Sequence, residues 1–214
     1  MMYNRFMNAV ALISDIIESK AIEDRRGFQE ELVGCLGEIN RSSGSLLSPY
    51  TVTLGDEFQA VYENGGEVLD HALSILVRLF PVRFRFSISF GGISTGINRE
   101  QAIGMDGPVF HAAREGMDRL KKTGYSIIRV GDVRGSSLDT FNAGLGLAMA
   151  HMADWKGDTL RIFYDLFQGK AVKEIVPHYN LSQRGVYKLI NRNKLWEFRD
   201  FFACVREELG SLRG

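Results

Sequence analysis

Leu54-Gly55-Asp56-Glu57-Phe58 is the stretch that decides how this chain folds. Gly-Asp between two apolar-rich runs is a two-residue hairpin signal, because the turn needs residues that tolerate φ > 0. Residues 50–54 and 57–62 supply the two strands. The turn sets two carboxylates, Asp56 and Glu57, at the hairpin tip. Working outward, Val10, Ala11, Leu12 and Ile13 form an apolar run that reads as a buried strand over residues 6–16, ending in a third carboxylate, Asp15. Acids at the edge of a small β-sheet core are costly unless something positive meets them.

The remaining elements follow from periodicity. A helix is predicted over 23–40, with Phe28, Leu32, Cys35, Leu36 and Ile39 at spacings of three and four. Arg41-Ser42-Ser43-Gly44-Ser45 breaks it, and a second helix is predicted over 65–80. Val82, Phe84, Phe86, Ile88 and Phe90 alternate with Arg83, Arg85, Ser87 and Ser89. That strand is expected to have one apolar face under helices and one polar, open face. Residues 91–107 read as a connector, 108–121 as a helix, and a strand from Tyr125 to Val130 closes the sheet. The order β-α-β-β-α-β predicts an α+β, ferredoxin-like sandwich with an open sheet face. It occupies residues 1–134, and residues 135–157 form a connecting helix. Lys156-Gly157-Asp158 is the expected boundary, with Asp158 as N-cap of an all-α unit over 158–214.

Of the 214 residues, 45% are hydrophobic, enough for a real core. No run of about 18 apolar residues exists, so no membrane span is expected. The opening Met1-Met2-Tyr3-Asn4-Arg5 lacks a signal-peptide pattern. Cys35 and Cys204 both fall in helical apolar patterns and read as buried free thiols, which points to the cytoplasm. Formal net charge is zero, but residues 1–157 hold 16 Lys+Arg against 19 Asp+Glu, and residues 158–214 hold 10 against 7. Lys170, Lys173, Arg184, Lys188, Arg192 and Lys194 make a basic island whose one acid is Glu174.

Within that island the spacing is that of a helix-turn-helix. Ile175, Tyr179, Leu181, Val186 and Leu189 fall at its buried positions, Asn180 takes the turn place where φ > 0 is tolerated, and Ser182 caps the second helix. Pro177 lies where the first helix should finish. The face of the second helix comprises Ser182, Gln183, Arg184, Tyr187, Lys188, Asn191 and Arg192, a mix suited to a DNA groove. The competing reading is a structural bundle with a solvated basic face.

Asp15 and Asp56 are expected on neighbouring strands, roughly 5 Å apart in backbone, where they would share one or two Mg²⁺ or Mn²⁺ ions. The segment Ile16-Ile17-Glu18-Ser19-Lys20 leads into a helix. Its free backbone N–H groups favour phosphate, which makes Ile16, Ser19 and Lys20 candidate nucleotide-binding residues. Bland alternatives stand beside each role. Asp56 is a turn former, Glu57 a solvated strand residue, Asp15 a cap for the loop, and Arg114 a surface partner of Glu18 or Asp118. His111 reads as a packed or surface histidine.

Residues 11–16, 53–61, 86–93 and 107–114 resemble, in order, the metal strand, metal hairpin and completing strand and helix of class III nucleotidyl cyclase and GGDEF palm domains. The resemblance implies Asp15 and Asp56 as metal ligands, Glu57 as the neighbouring acid of GGDEF domains, and Arg114 as the cation that meets transition-state charge. It also implies a site shared between two chains, hence a homodimer. Phe110 replaces the asparagine that orients ribose in cyclases, and Glu18 puts negative charge in the phosphate loop. Over nearly its full length the chain is similar to the SatD family, which joins such a domain to a C-terminal helix-turn-helix. The expectation is a cytoplasmic regulatory protein coupling a metal- and nucleotide-binding domain to a DNA-binding tail. The alternatives are a metal-dependent nucleotidyl cyclase or nucleotidyltransferase, and a non-catalytic dimerisation scaffold.

Overall fold

A computed structural model describes residues 7–124, 127–132 and 138–212. The first half runs β1 (Met7–Ile16), α1 (Arg25–Ser42), β2 (Leu46–Leu54), β3 (Glu57–Tyr62), α2 (Val68–Arg78) and β4 (Phe84–Ile93). Then come α3 (Pro108–Thr123), β5 (Ile128–Asp132), α4 (Asp139–Met152), α5 (Gly157–Phe167), α6 (Val172–Ile175), α7 (Gln183–Arg192) and α8 (Leu195–Ser211). The expected strand start at Tyr125 lies outside the described residues, as do positions 133–137 ahead of the connecting helix.

The sheet order is β2-β3-β1-β4-β5. β1 is antiparallel to both β3 and β4, β2 is antiparallel to β3, and β5 joins β4 in parallel. The first four strands therefore have the ferredoxin-like arrangement, and β4-α3-β5 adds one crossover. The hairpin forms as the sequence predicts, with Gly55 at φ 56 between β2 and β3. Phe58, Phe84, Phe86 and Phe90 are fully buried on the α1/α2 side of the sheet. Each contributes roughly 2–3 kcal/mol of burial free energy.

The other sheet face is not open. α3 lies on it, packing Val109, Ala113 and Met117 against Ala9, Ala11, Ile13, Val61 and Ile93. Small residues permit the approach: Ser87, Ser89, Ala9 and Ala11 line the floor. A Cβ at Gly116 would stand 2.3 Å from Ser87 Oγ, so the helix sits as close as glycine allows. Serines that read as a solvated face are instead a low floor beneath a helix.

The C-terminal helices join the first core rather than standing off from it. α5 and α8 both contact α2, and one apolar cluster runs from Val10 and Leu12 through Leu73 to Phe163, Phe202 and Leu209. Gly65, ahead of α2, is pressed against α8: a Cβ there would lie 2.2 Å from the Leu209 carbonyl oxygen. Several local expectations change. α5 starts at Gly157 with Lys156 as its N-cap, and Asp158 sits in the first turn. Cys35 is buried but Cys204 is exposed, because α8 turns that position outward. The non-glycine residue of the described tail in the left-handed region is Lys194, at φ 57 between α7 and α8, and not Asn180. α7 buries Val186 and Ile190, so Ile190 takes the deep place expected of the half-buried Leu189.

Candidate functional site

Strand register builds the acid cluster. Asp15 pairs with Glu57 across β1–β3 and with Arg85 across β1–β4. The three side chains thus form one row on the α3 side of the sheet. α3 adds Arg114 and Lys121, seven residues or two turns apart and so on one helix face. Arg85 Nη1 lies 2.8 Å from Asp15 Oδ2, and Lys121 Nζ lies 3.0 Å from Asp15 Oδ1 and 3.5 Å from Glu57 Oε1. Arg114 Nη1 lies 2.7 Å from Glu57 Oε2. The Asp15 side chain is only 8% exposed and that of Glu57 15%, so the cations neutralise charge that water scarcely reaches. Burial disfavours the Lys121 ammonium, but its hydrogen bond to Asp15 and the charges of Asp15 and Glu57 outweigh that and raise its pKa.

Asp56 stands one step beyond this row, in the turn. Its carbonyl accepts from the Ile16 N–H at 3.1 Å, and its Oδ2 accepts from Ser19 Oγ at 2.7 Å. The loop it touches is conformationally strained, since Glu18 holds φ 56 without being glycine. Lys20 is exposed on the same loop. Among the sequence-predicted site residues the structure therefore joins Asp15, Glu57 and Arg114 in one network, and Asp56, Ser19 and Ile16 in a second contact set at the same end of β1. His111 is an exposed surface residue 3.2 Å from Asp106, and Phe110 packs against the α3 core.

This arrangement does not fit Mg²⁺ or Mn²⁺ at the Asp15–Glu57 pair, because both oxygens of each carboxylate already face a protein cation. Among the described residues no group of three His, Cys, Asp or Glu side chains is placed to hold a metal ion.

The second candidate site is α7. Ser182 caps it, its side chain accepting from the Gly185 N–H at 3.1 Å. With Val186 and Ile190 inward, Gln183, Arg184, Tyr187, Lys188, Asn191 and Arg192 are all exposed on the outward side. Among the described residues Arg184, Lys188 and Arg192 form no ion pair, whereas Lys170, Arg199 and Arg206 nearby each meet an aspartate. Ahead of α7, Pro177 stands in a single 3₁₀ turn (Val176–His178) that follows the four-residue α6.

Arg85 and Lys121 were not among the residues singled out from sequence. The β4 alternation makes Arg85 look solvated, although it is the cross-strand partner of Asp15. The signal that could have found Lys121 is its seven-residue spacing from Arg114, which sets both on one face of α3.

The SatD family model matches residues 9–192. No curated protein matches the sequence. Two solved structures of a bacterial light-regulated adenylyl cyclase are similar to this chain at low identity. One is 14% identical with a TM-score of 0.43, covering 59% of this chain and 43% of that one. The other is 16% identical with a TM-score of 0.43, covering 59% of this chain and 76% of that one. The chain thus spans less than half of the first cyclase chain, and the roles of its residues rest on their own geometry.

Proposed function

The chain belongs to the SatD family, and from that premise we propose that it is a DNA-binding regulatory protein. In this reading α6, its 3₁₀ turn and α7 act as a helix-turn-helix. The observation that carries it is the set of exposed bases on α7, Arg184, Lys188 and Arg192, that no acid of the described residues offsets. Uncompensated bases on one helix face are what neutralise phosphates and release counterions, the main source of affinity for a duplex. Gln183, Asn191 and Tyr187 between them offer groups for base edges or sugar. Pairing of two chains would present two such helices.

The sheet domain is the ligand-responsive part of this reading. Ser19 touches the hairpin at Asp56, Lys20 is exposed on the same loop, and Arg114 meets Glu57; a nucleotide is the ligand class we assign to this end of the sheet, its phosphates meeting those groups. Catalysis of the cyclase type is the lesser reading, because Asp15 is engaged by Arg85 and Lys121, and Phe110 supplies no ribose-orienting amide. Filter retention of a random-sequence duplex tests the DNA reading. The intact chain retains it, and Arg184→Ala with Lys188→Ala releases it. Retention that survives both changes removes α7 from the function.

A further inference from the structure

We propose that Lys121 is a built-in replacement for the divalent cation that Asp15 and Glu57 would otherwise take. The four carboxylate oxygens of the pair are each assigned. Asp15 Oδ1 and Glu57 Oε1 face the Lys121 ammonium at 3.0 and 3.5 Å, Asp15 Oδ2 faces Arg85 at 2.8 Å, and Glu57 Oε2 faces Arg114 at 2.7 Å. Two carboxylates in register on adjacent strands repel, and a shared cation between them removes that cost. A hard divalent ion answers the same need by collecting six or more oxygen ligands. Here the cation is covalently tethered, carried in the last turn of α3, where the helix C-terminus itself favours positive charge.

Position explains the role. Lys121 reaches β1 and β3 together, so one side chain ties α3 to the two strands that carry the acids. The bridge is thereby independent of metal supply, and any ligand of this end of the sheet is met by side chains rather than through a bound ion. The inference concerns the sheet domain alone and stands whether or not α7 binds DNA.

Mn²⁺ titration followed by electron paramagnetic resonance tests it, since bound Mn²⁺ disappears from the sharp signal of the free ion. The intact protein should leave the signal of sub-millimolar Mn²⁺ unchanged. Lys121→Ala should take up about one Mn²⁺ per chain, and adding Asp15→Asn should abolish that uptake. Mn²⁺ binding by the intact protein that Asp15→Asn removes overturns the proposal, and so does a folded Lys121→Ala protein that takes up none. Acetylation of Lys121 in the intact protein, read by mass spectrometry, serves where the variant does not fold. A rate unaffected by Mn²⁺ supports the proposal, and acceleration by Mn²⁺ contradicts it.

Discussion

Asp15 and Glu57 stand opposite each other in register on β1 and β3, and a single ammonium, that of Lys121, lies within 3.5 Å of both. Two like charges side by side on a sheet are a liability. Sequence alone paired Asp15 with Asp56, whereas register sets Asp15 opposite Glu57, with Arg85 and Arg114 flanking that pair.

Arg85→Met leaves a nearly buried Asp15 with one cation in place of two. Removing one partner of a buried ion pair typically costs 3–5 kcal/mol, and the remaining Lys121 contact reduces this to about 2–4 kcal/mol. Urea unfolding should show the lower midpoint at unchanged slope. Adding Asp15→Asn should recover part of the loss, giving a coupling above about 1 kcal/mol. Additive effects of the two changes would mean that the pair does not act as one unit.

Gly65→Ala and Gly34→Ala should move stability in opposite directions. At Gly65 the added methyl meets the Leu209 carbonyl, a backbone atom that moves only if α8 does, and overpacking of this kind costs about 1–3 kcal/mol. Gly34 is exposed in α1 with nothing within 4 Å of the new Cβ, so alanine there should gain about 0.5–1 kcal/mol from helix propensity. Thermal melts of the two variants check both signs. A neutral Gly65→Ala would show that α8 is not seated on the start of α2.

His71 should make the protein less stable in mild acid. Its Nδ1 lies 2.9 Å from the buried Tyr62 hydroxyl, and burial lowers its pKa despite the opposing charges of Glu67 and Asp70. The unfolded chain takes up the proton near pH 6.5, and the folded one only at lower pH. Stability contributed by neutral His71 is therefore complete above about pH 6.5 and declines below it, by at most about 1.4 kcal/mol per pH unit. Glu67, whose pKa is lowered by Ser43, Ser45 and Gly44 against the effect of burial, adds a separate loss only below its ordinary value of 4.5. Urea midpoints at pH 7.5, 6 and 5 should fall for the intact protein and stay flatter between 6.5 and 5 for His71→Gln. Parallel curves would assign the acid sensitivity elsewhere.

Much of the fold was legible because its signals are local. The apolar run before Asp15, the Gly55-Asp56 turn and the Phe84–Phe90 alternation each name an element from neighbouring residues alone. What sequence concealed is long-range. Ser87 and Ser89 look like a wet face because nothing local reveals that Gly116, in another helix, will rest on them. Arg85 looks solvated for the same reason, although strand register makes it the partner of Asp15 seventy residues earlier. At the candidate site, acids were readable as a cluster, but which cation joins them depended on α3 crossing the sheet. Ile190 was missed because the helix-turn-helix template emphasised Leu189, one position from the face that α8 covers.

The measurement that bears most directly on a DNA-binding tail is the salt dependence of duplex affinity, determined between 50 and 200 mM salt. The intact chain should lose affinity steeply, and Arg184→Ala with Lys188→Ala should bind more weakly with a log–log slope shallower by about two units, one for each phosphate contact removed. Equal affinity and equal slope in the two proteins would contradict the assignment of α7 to DNA.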